Sequence, residues 1–515
     1  MGVEIASEVW ELNPSFYLFI IVASFLSIFL LPHFSNRTTS SASDTNVIYS
    51  SLSFFKFQRK FLLLYSLSSV LEGLWLVNGE YEIVNYGLTK QQMIVLLSSG
   101  CLASLILGTF LGIFSDALGH KKLCLLFSIL HLIMAVWKTL AAHPAIWIVC
   151  LCLSLASSIF TFSFESWMVV EHDKQGYRQD ALNDTFWLMS FFESTSLILS
   201  QVLANWALGH GSMRGFISPS VITVLLASVN LVFTIRGWPE SSARGKFKEH
   251  RAAFIVFFFG GKIDAMCVAF NLYRTAEVTT DYNYFVENGI SERDKIQVVL
   301  NLEIKLQWDL KSDSSLNLKS GMLDKRVWLL GCAQACLHFS AAVFWILWAP
   351  TIVADGREVQ LGFMYPCFLG ARMLGITIFP WTLSGLLSLR VEDCLLYEFI
   401  AAGVILAIVA YDYQEIGVFV ALFCLFQAVA GLILPTIARL RTMYVPNEFR
   451  AGMISLSLAP ANAAILCVLI QGGYYRNANN STITAFAALG LFLAAGCMYM
   501  LKHLGKQPHQ SWHKQ

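Results

Sequence analysis

Five ionisable side chains interrupt apolar runs of the sequence. Glu398 lies near a helix end and is set aside, which leaves Glu72, Glu165, Glu193 and Arg372. Each such group costs about 2.5–3.5 kcal/mol at the centre of a bilayer on insertion scales, so each needs a partner or a role. A buried carboxylate can hold and release a proton, and a guanidinium presents a planar fork of donors to an oxyanion. The chemistry open to these residues is ion pairing, proton exchange or anion binding inside a membrane.

The sequence leaves the role of each group open. Arg372 is the only cation well inside a predicted span, and it either binds an oxyanion or forms a structural ion pair with a glutamate. Glu165 is a candidate proton-coupling carboxylate, with a gate or a structural pair as the alternative. Glu72 lies in the middle of its run and is a second candidate for substrate binding or coupling. Glu193 is a weaker one.

Neutral polar side chains in the apolar runs offer a second kind of contact. Gln334, His338, Gln427 and Asn462 all fall within predicted helices. Amide donors and helix N-termini can bind oxyanions, but hydrogen bonding between helices is the alternative for each of them. Gln334 and Asn462 are retained as substrate candidates.

Composition indicates that lipid surrounds most of the chain. Its 515 residues are 56% hydrophobic and 13% charged, against about 25% charged in soluble domains. Runs long enough to cross a bilayer recur and lack the alternation of barrel strands, so we expect an all-α polytopic membrane protein. The predicted helices are 15–32, 60–80, 91–114, 121–141, 144–166, 182–207, 216–236, 327–349, 359–386, 393–411, 415–438, 451–472 and 482–502.

Several functional classes find no support. A net charge of +1 gives no bulk attraction for nucleic acid. The 12 cysteines lack metal-ligand spacing, so neither a metal nor a cofactor is expected. Nucleotide-binding, zinc-protease and nucleophile-elbow motifs are not found, so we do not expect an enzyme. Without an ATP motif, any transport would use the gradient of the substrate or of a coupled ion, and the sequence does not say which.

Lysine and arginine predict the orientation. Glutamates rather than cations precede the first run, which favours an anchor with its N-terminus outside over a signal peptide. With the 33–59 loop in the cytosol, nineteen lysines and arginines fall on the cytosolic side and five on the other, leaving the long loop aside. The helices after the first then form two groups of six, one before and one after the long loop. This is the plan of a two-halved transporter with its substrate between the halves.

The stretch GIFSDALGHKK, at 112–122, joins two of the predicted helices. Gly112 permits the close approach of a neighbouring helix, and Asp116 can meet the N-terminus of another. Gly119 permits the turn, and Lys121 and Lys122 hold the loop in the cytosol. This stretch resembles the loop 2–3 motif of the major facilitator superfamily, which implies a 6+6 helix bundle here with one extra N-terminal helix.

The resemblance implies a gate on the cytosolic side. VPNEFRAGMISL, at 445–456, is similar to the superfamily's loop 10–11 and puts Arg450 at the start of a helix, as the expected partner of Asp116. YRQDALNDTFWL, at 177–188, carries Arg178 at the matching place in the first half. The second-half copy of the glycine–aspartate motif, around 384–394, is degraded.

A narrower resemblance covers much of both halves. FSFESWMVVEH at 162–172, the stretch at 324–350 and the stretch at 439–464 resemble the molybdate-anion transporter family. The likeness implies a secondary transporter that takes up a small oxyanion, molybdate first, with the plasma membrane favoured over an internal one. Proton coupling is open. The alternatives are a transporter of a sugar or organic anion and a non-transporting receptor.

The sequence divides into five regions. The segment 252–321 has no clear period and mixed charge, so we expect either a disordered linker or an insertion in the gene model. The regions are 1–57 with the extra helix and a cytosolic loop, 58–238 as the N-terminal half, 239–326 as the inter-half loop, 327–503 as the C-terminal half and 504–515 as a cytosolic tail.

Overall fold

The computed structural model describes eleven stretches of the chain. They are residues 14–30, 45–85, 87–141, 144–177, 179–208, 218–237, 325–353, 361–383, 390–411, 416–474 and 479–504. The segment 252–321, for which we expect a linker or an insertion, lies outside them. The described residues fall in one unit, Met1–Ser241 with Leu329–Gln515, except for 325–328, which begin a helix and belong to a second unit.

Seven helical segments follow a short apolar helix in the N-terminal part. Local signals fix some of the ends: Thr89 forms a capping box with Gln92, and Ser218 caps a helix that has Pro219 at its first position. The helices are α1 (Pro14–Leu30), α2 (Thr45–Asn85), α3 (Lys90–Ala103), α4 (Thr109–Leu118), α5 (His120–Leu140), α6 (Ile146–Lys174), α7 (Gln179–Leu208) and α8 (Pro219–Arg236). A π-helical stretch, Ser104–Gly108, joins α3 and α4 into one membrane-crossing helix.

The C-terminal half repeats the plan with six helices. They are α9 (Lys325–Ile352), α10 (Leu361–Leu383), α11 (Val391–Ala410), α12 (Ile416–Tyr444), α13 (Arg450–Val468) and α14 (Asn480–His503). A 3₁₀ turn, Asn447–Phe449, precedes α13 and a π-helical stretch, Leu469–Tyr474, follows it.

Twelve helices in the described residues are long and apolar enough to cross a membrane, and α1 is a shorter apolar helix. The predicted all-α bundle of six and six helices with one helix before it is therefore confirmed. Four predicted ends are off by five residues or more. Helix α2 begins at Thr45, inside the predicted 33–59 loop, and runs five residues past 80, α6 runs eight residues past 166, and α12 runs six residues past 438. These helices continue beyond their apolar windows through helical turns with polar side chains, because the hydrogen bonds of the helix backbone do not require apolar side chains.

The two halves meet along two seams. In the first seam α4 packs against α13, and in the second seam α7 packs against α10. Each seam pairs the second helix of one half with the fifth helix of the other. Helix α1 packs on α10, with Tyr17, Ile20, Ser24 and Ser27 buried at helical spacing, so the extra helix is attached to the C-terminal half.

Candidate functional site

Asp116 closes one end of the first seam. Its two carboxylate oxygens accept hydrogen bonds from the backbone N–H groups of Ala451 (3.0 Å) and Gly452 (2.7 Å) in the first turn of α13. Phe449, at the N-cap position of α13, makes no side-chain cap, so a carboxylate of the opposite half satisfies these orphan donors. The negative charge also meets the positive end of the helix dipole. We call this contact the clamp.

Glycines shape the clamp. A Cβ on Gly112 would lie 2.9 Å from the carbonyl oxygen of Ala451 and would collide with Ser455, so only glycine lets α4 and α13 approach this closely. Gly119 has a φ of 110°, which L side chains rarely adopt, and it separates α4 from α5. Both glycines are where the sequence analysis expected a close approach and a turn.

The lysines of the motif take different positions. Lys121 donates to the carbonyl oxygens of Ile235 (3.2 Å) and Gly237 (3.4 Å) at the end of α8, where a cation meets the negative end of a helix. Lys122 is exposed. Arg178, the proposed first-half counterpart of Arg450, lies outside the described residues.

A buried charge cluster lies behind the clamp. Glu165 of α6 accepts hydrogen bonds from Arg441 of α12, through Nε at 3.0 Å and through Nη2, and from Arg450 Nη2 at 3.4 Å. Arg441 also donates to Gln334 Oε1 of α9 at 3.1 Å. Arg450 is 0% exposed, and its Nε and Nη1 have no hydrogen-bond partner among the described residues. One carboxylate of the N-terminal half thus holds two guanidiniums of the other half.

Arg441 is a site residue that was not predicted from the sequence. Its charge lies beyond the apolar window that ends at 438, which is typical of a cytosolic loop. In the structure α12 continues to Tyr444, and Arg441 is buried on the same face as Ile437 and Ala438. The signal was present as helical spacing, since residues three and four apart share a face.

A second cluster crosses the second seam at mid-height. Arg372 Nη2 of α10 lies 3.1 Å from Glu193 Oε1 of α7, and the Tyr65 hydroxyl of α2 donates to Glu193 Oε2 at 2.7 Å. All three residues are near the centres of their helices. Arg372 Nε is buried and has no hydrogen-bond partner among the described residues. The pair that the sequence analysis gave as one alternative for Arg372 is present, and a donor is left over.

The remaining candidates lie apart from these two clusters. Glu72 is buried inside the N-terminal half, 3.6 Å from His131 Nε2 of α5, and neither of its oxygens has a hydrogen-bond partner among the described residues. Asn462 of α13 interacts with the side chain of His338 of α9, and its backbone oxygen accepts from Cys101 of the other half at 3.2 Å. The structure brings Glu165 together with Gln334 and Arg450, but not with Glu72, Arg372 or Asn462.

Comparisons with known proteins identify the bundle. A family model described as sugar transporters with 12 transmembrane segments matches residues 22–258. Molybdate-anion transporters of Takifugu rubripes and Danio rerio are 21% and 22% identical to the chain. The matches cover 78% and 93% of this chain, and 76% and 93% of the relatives. A Xenopus tropicalis molybdate-anion transporter is 21% identical over 81% of the chain and 79% of its own length.

A solved structure gives the same fold. The fucose:proton symporter of E. coli aligns with a TM-score of 0.54 and 13% identity, covering 88% of this chain and 100% of the symporter. At that identity the likeness speaks for the fold alone. Together with the sequence relatives and the twelve apolar helices, it defines an integral, multi-pass membrane transporter. The chain is therefore similar in sequence to the molybdate-anion transporters over most of its length, and it has the fold of a major facilitator transporter.

Proposed function

We propose that the protein is a secondary active transporter that takes up a small oxyanion, molybdate first, by alternating access between its two halves. The cycle changes no covalent bond and uses no ATP, so a solute gradient drives it. The names of the sequence relatives support molybdate as the substrate. The charge pattern of the loops supports a cytosolic position for the clamp, and the resemblance supports the plasma membrane.

One observation carries the proposal of an anion: a guanidinium at mid-height of the second seam retains a free donor. Arg372 engages Glu193 through Nη2, while its buried Nε has no partner among the described residues. An unsatisfied buried donor is costly, and an oxyanion would satisfy it with a charge-assisted bond. A tetrahedral dianion offers two negatively charged oxygens to the guanidinium fork, whereas the hydroxyl oxygens of a neutral sugar carry no charge.

The two seams support alternating access. The clamp and the Glu165 cluster join the halves at one end of the first seam. They consist of a few hydrogen bonds and ion pairs, which can break together when the halves separate. Separation would leave the α13 N-terminus and two guanidiniums to water, so the open state needs solvent to replace the lost partners. Closed at this end, the bundle would receive its substrate from the other side.

A sugar is the second candidate substrate. The description of the matching family model favours a sugar. The charged residues of the second seam do not. A receptor without transport activity is the third candidate. The intact clamp favours a transporter over a receptor, because it is a contact between the halves that can open and close.

Uptake of labelled molybdate by cells that express the chain tests the proposal. We expect saturable uptake that excess fucose does not inhibit, with sulfate as a second competitor to measure selectivity among tetrahedral oxyanions. Arg372→Gln should reduce uptake at least about tenfold, because a charge-assisted bidentate contact is lost. Arg390→Gln, at the exposed start of α11, is the matched control and should transport as the wild type does.

Surface abundance is measured in parallel for every variant. No molybdate uptake by wild-type protein at normal abundance would reject the proposed substrate. Inhibition by fucose together with fucose uptake would favour the sugar candidate. Normal uptake by Arg372→Gln would remove the anion site from the second seam.

A further inference from the structure

Helix α2 carries three cations on one exposed face near the end at which it begins. Lys56, Arg59 and Lys60 are all exposed. Residues three and four apart are neighbours on a helix surface, with about 5–6 Å between their Cβ atoms, so the three positive charges lie together. We call these three residues the basic face. They belong neither to the clamp nor to the two charge clusters of the seams.

Other cations at this end of the bundle already have partners. Lys121 donates to two carbonyl oxygens at the end of α8. Lys174 lies 3.9 Å from Glu171, and Lys502 lies 2.6 Å from Asp393. In contrast, no carboxylate among the described residues forms an ion pair with the basic face. The three charges of the basic face are therefore available to an anion from outside the chain.

The opposite side of the same turns is fixed on the N-terminal half. The buried ring of Phe54 lies 5.2 Å from the ring of Tyr177, just after α6, and the buried ring of Phe57 lies 5.7 Å from it. Gln58 donates to the Thr185 hydroxyl of α7 at 3.1 Å, and both residues are buried. The helix under the basic face is thus held in place, so a ligand need not order it on binding.

The basic face lies at the depth of lipid headgroups. The apolar part of α2, Ser53–Val77, has 25 residues and is about 37 Å long at 1.5 Å per residue, more than the roughly 30 Å of a hydrocarbon core. Its first turns therefore extend to the headgroup layer, and lysine and arginine side chains reach further outward. On the same stripe of the helix, Phe55 and Leu63 are 51% and 52% exposed, so apolar surface adjoins the charges.

We propose that the basic face binds the headgroup of one anionic phospholipid of the cytosolic leaflet. The loop charges predict that this end of α2 is cytosolic, and the cytosolic leaflet is the one that carries anionic lipids. Arg59 presents a planar fork of donors to a phosphate, and Lys56 and Lys60 add point charges beside it. The inference does not depend on which solute the protein transports.

The apolar surface beside the cations favours a lipid over a soluble anion. Leu63 lies one turn deeper in the membrane than Arg59, at the level of the acyl chains. A free phosphate would contact the three charges alone, whereas a phospholipid covers the charges and the apolar surface together. Both parts of the stripe are therefore satisfied by a single lipid molecule.

Native mass spectrometry of the purified full-length protein with phosphatidylinositol 4,5-bisphosphate tests the inference. We expect one copy of this lipid to bind at least about tenfold more tightly than phosphatidylcholine, whose headgroup has no net charge. The triple variant Lys56→Gln, Arg59→Gln, Lys60→Gln should lose this preference and keep its affinity for phosphatidylcholine. Equal affinity of the wild type for the two lipids would overturn the proposal.

A second triple variant is the matched control. Lys174→Gln, Arg390→Gln and Lys502→Gln remove two lysines and one arginine from other helices at the same end of the bundle. This variant should bind the anionic lipid within about twofold of the wild type. If both triple variants lose the lipid equally, the attraction comes from the total charge of that surface, and the basic face is not a site.

The free headgroup distinguishes a lipid from a soluble ligand. Inositol 1,4,5-trisphosphate should bind at least about tenfold more weakly than the lipid, because it lacks the acyl chains that cover Leu63. Equal binding of the two would overturn the lipid as the occupant. If the first triple variant does not fold, Arg59→Gln alone replaces it, with lipid binding expected to be about threefold weaker. Wild-type affinity in Arg59→Gln would remove the guanidinium, and the proposed headgroup contact, from the basic face.

Discussion

The two seams join the same kinds of helices by different means. At the first seam a backbone meets a side chain: two N–H groups of α13 bind Asp116, and Gly112 removes the side chain that would keep the helices apart. At the second seam side chains meet side chains, with Glu193 on Arg372 and an apolar cluster around them. A backbone clamp is either formed or broken, whereas an ion pair can exchange one partner for another. The first seam is therefore suited to closing a path, and the second to binding and releasing an ion.

The largest expected difference between the seams concerns stability. Glu165→Gln leaves Arg450, which is 0% exposed, without its carboxylate, and breaking a buried pair in this way costs about 3–5 kcal/mol. Glu193→Gln should cost less, because Glu193 and Arg372 are 25% and 10% exposed and so are less completely buried than Arg450. Thermal unfolding of both variants in the same detergent measures the difference. Equal shifts in Tm would contradict the distinction between a structural and an exchangeable pair.

A Cβ at Gly112 should prevent the first seam from closing fully. In Gly112→Ala the new methyl group would meet Ser455 and the Ala451 carbonyl oxygen, and overpacking of this kind costs about 1–3 kcal/mol. Because only the closed state pays this cost, we expect slower transport with unchanged insertion, measured as the initial rate of uptake. Gly496→Ala is the control, since its Cβ would meet nothing within 4 Å. Ser455→Gly in the same chain should restore part of the rate.

The smallest of the three effects is expected from Asp116→Asn. An amide keeps one acceptor but loses the second hydrogen bond to α13 and the charge that meets the helix dipole, a loss of about 1–2 kcal/mol. Uptake should slow several-fold with normal surface abundance. Asp173→Asn is the matched control. Among the described residues the Asp173 carboxylate accepts only from the side chain of Asn447, at 3.0 Å, so uptake should change less. A rate equal to the wild type in Asp116→Asn would remove the clamp from the cycle.

The sequence was informative where a local pattern carries the physics. Hydropathy predicted the twelve spans because a bilayer requires about twenty apolar residues from each helix, whatever the helix packs against. The motif at 112–122 pointed to a close approach and a turn, because glycine permits both through its own backbone. Charge in the loops predicts the orientation, which stays a prediction.

The partners of the buried charges were decided by tertiary structure alone. Helical spacing places Arg441 on the face of Ile437 and Ala438, but nothing near it in sequence identifies its partner, because Glu165 is contributed by the other half of the chain. Arg372 could have paired with any of several glutamates, and the packing of α7 on α10 selects Glu193. By itself the sequence determined that this is a membrane bundle of two halves with a glycine–aspartate turn. Only folding decided which charges meet, because an ion pair depends on distance in space and not on separation along the chain.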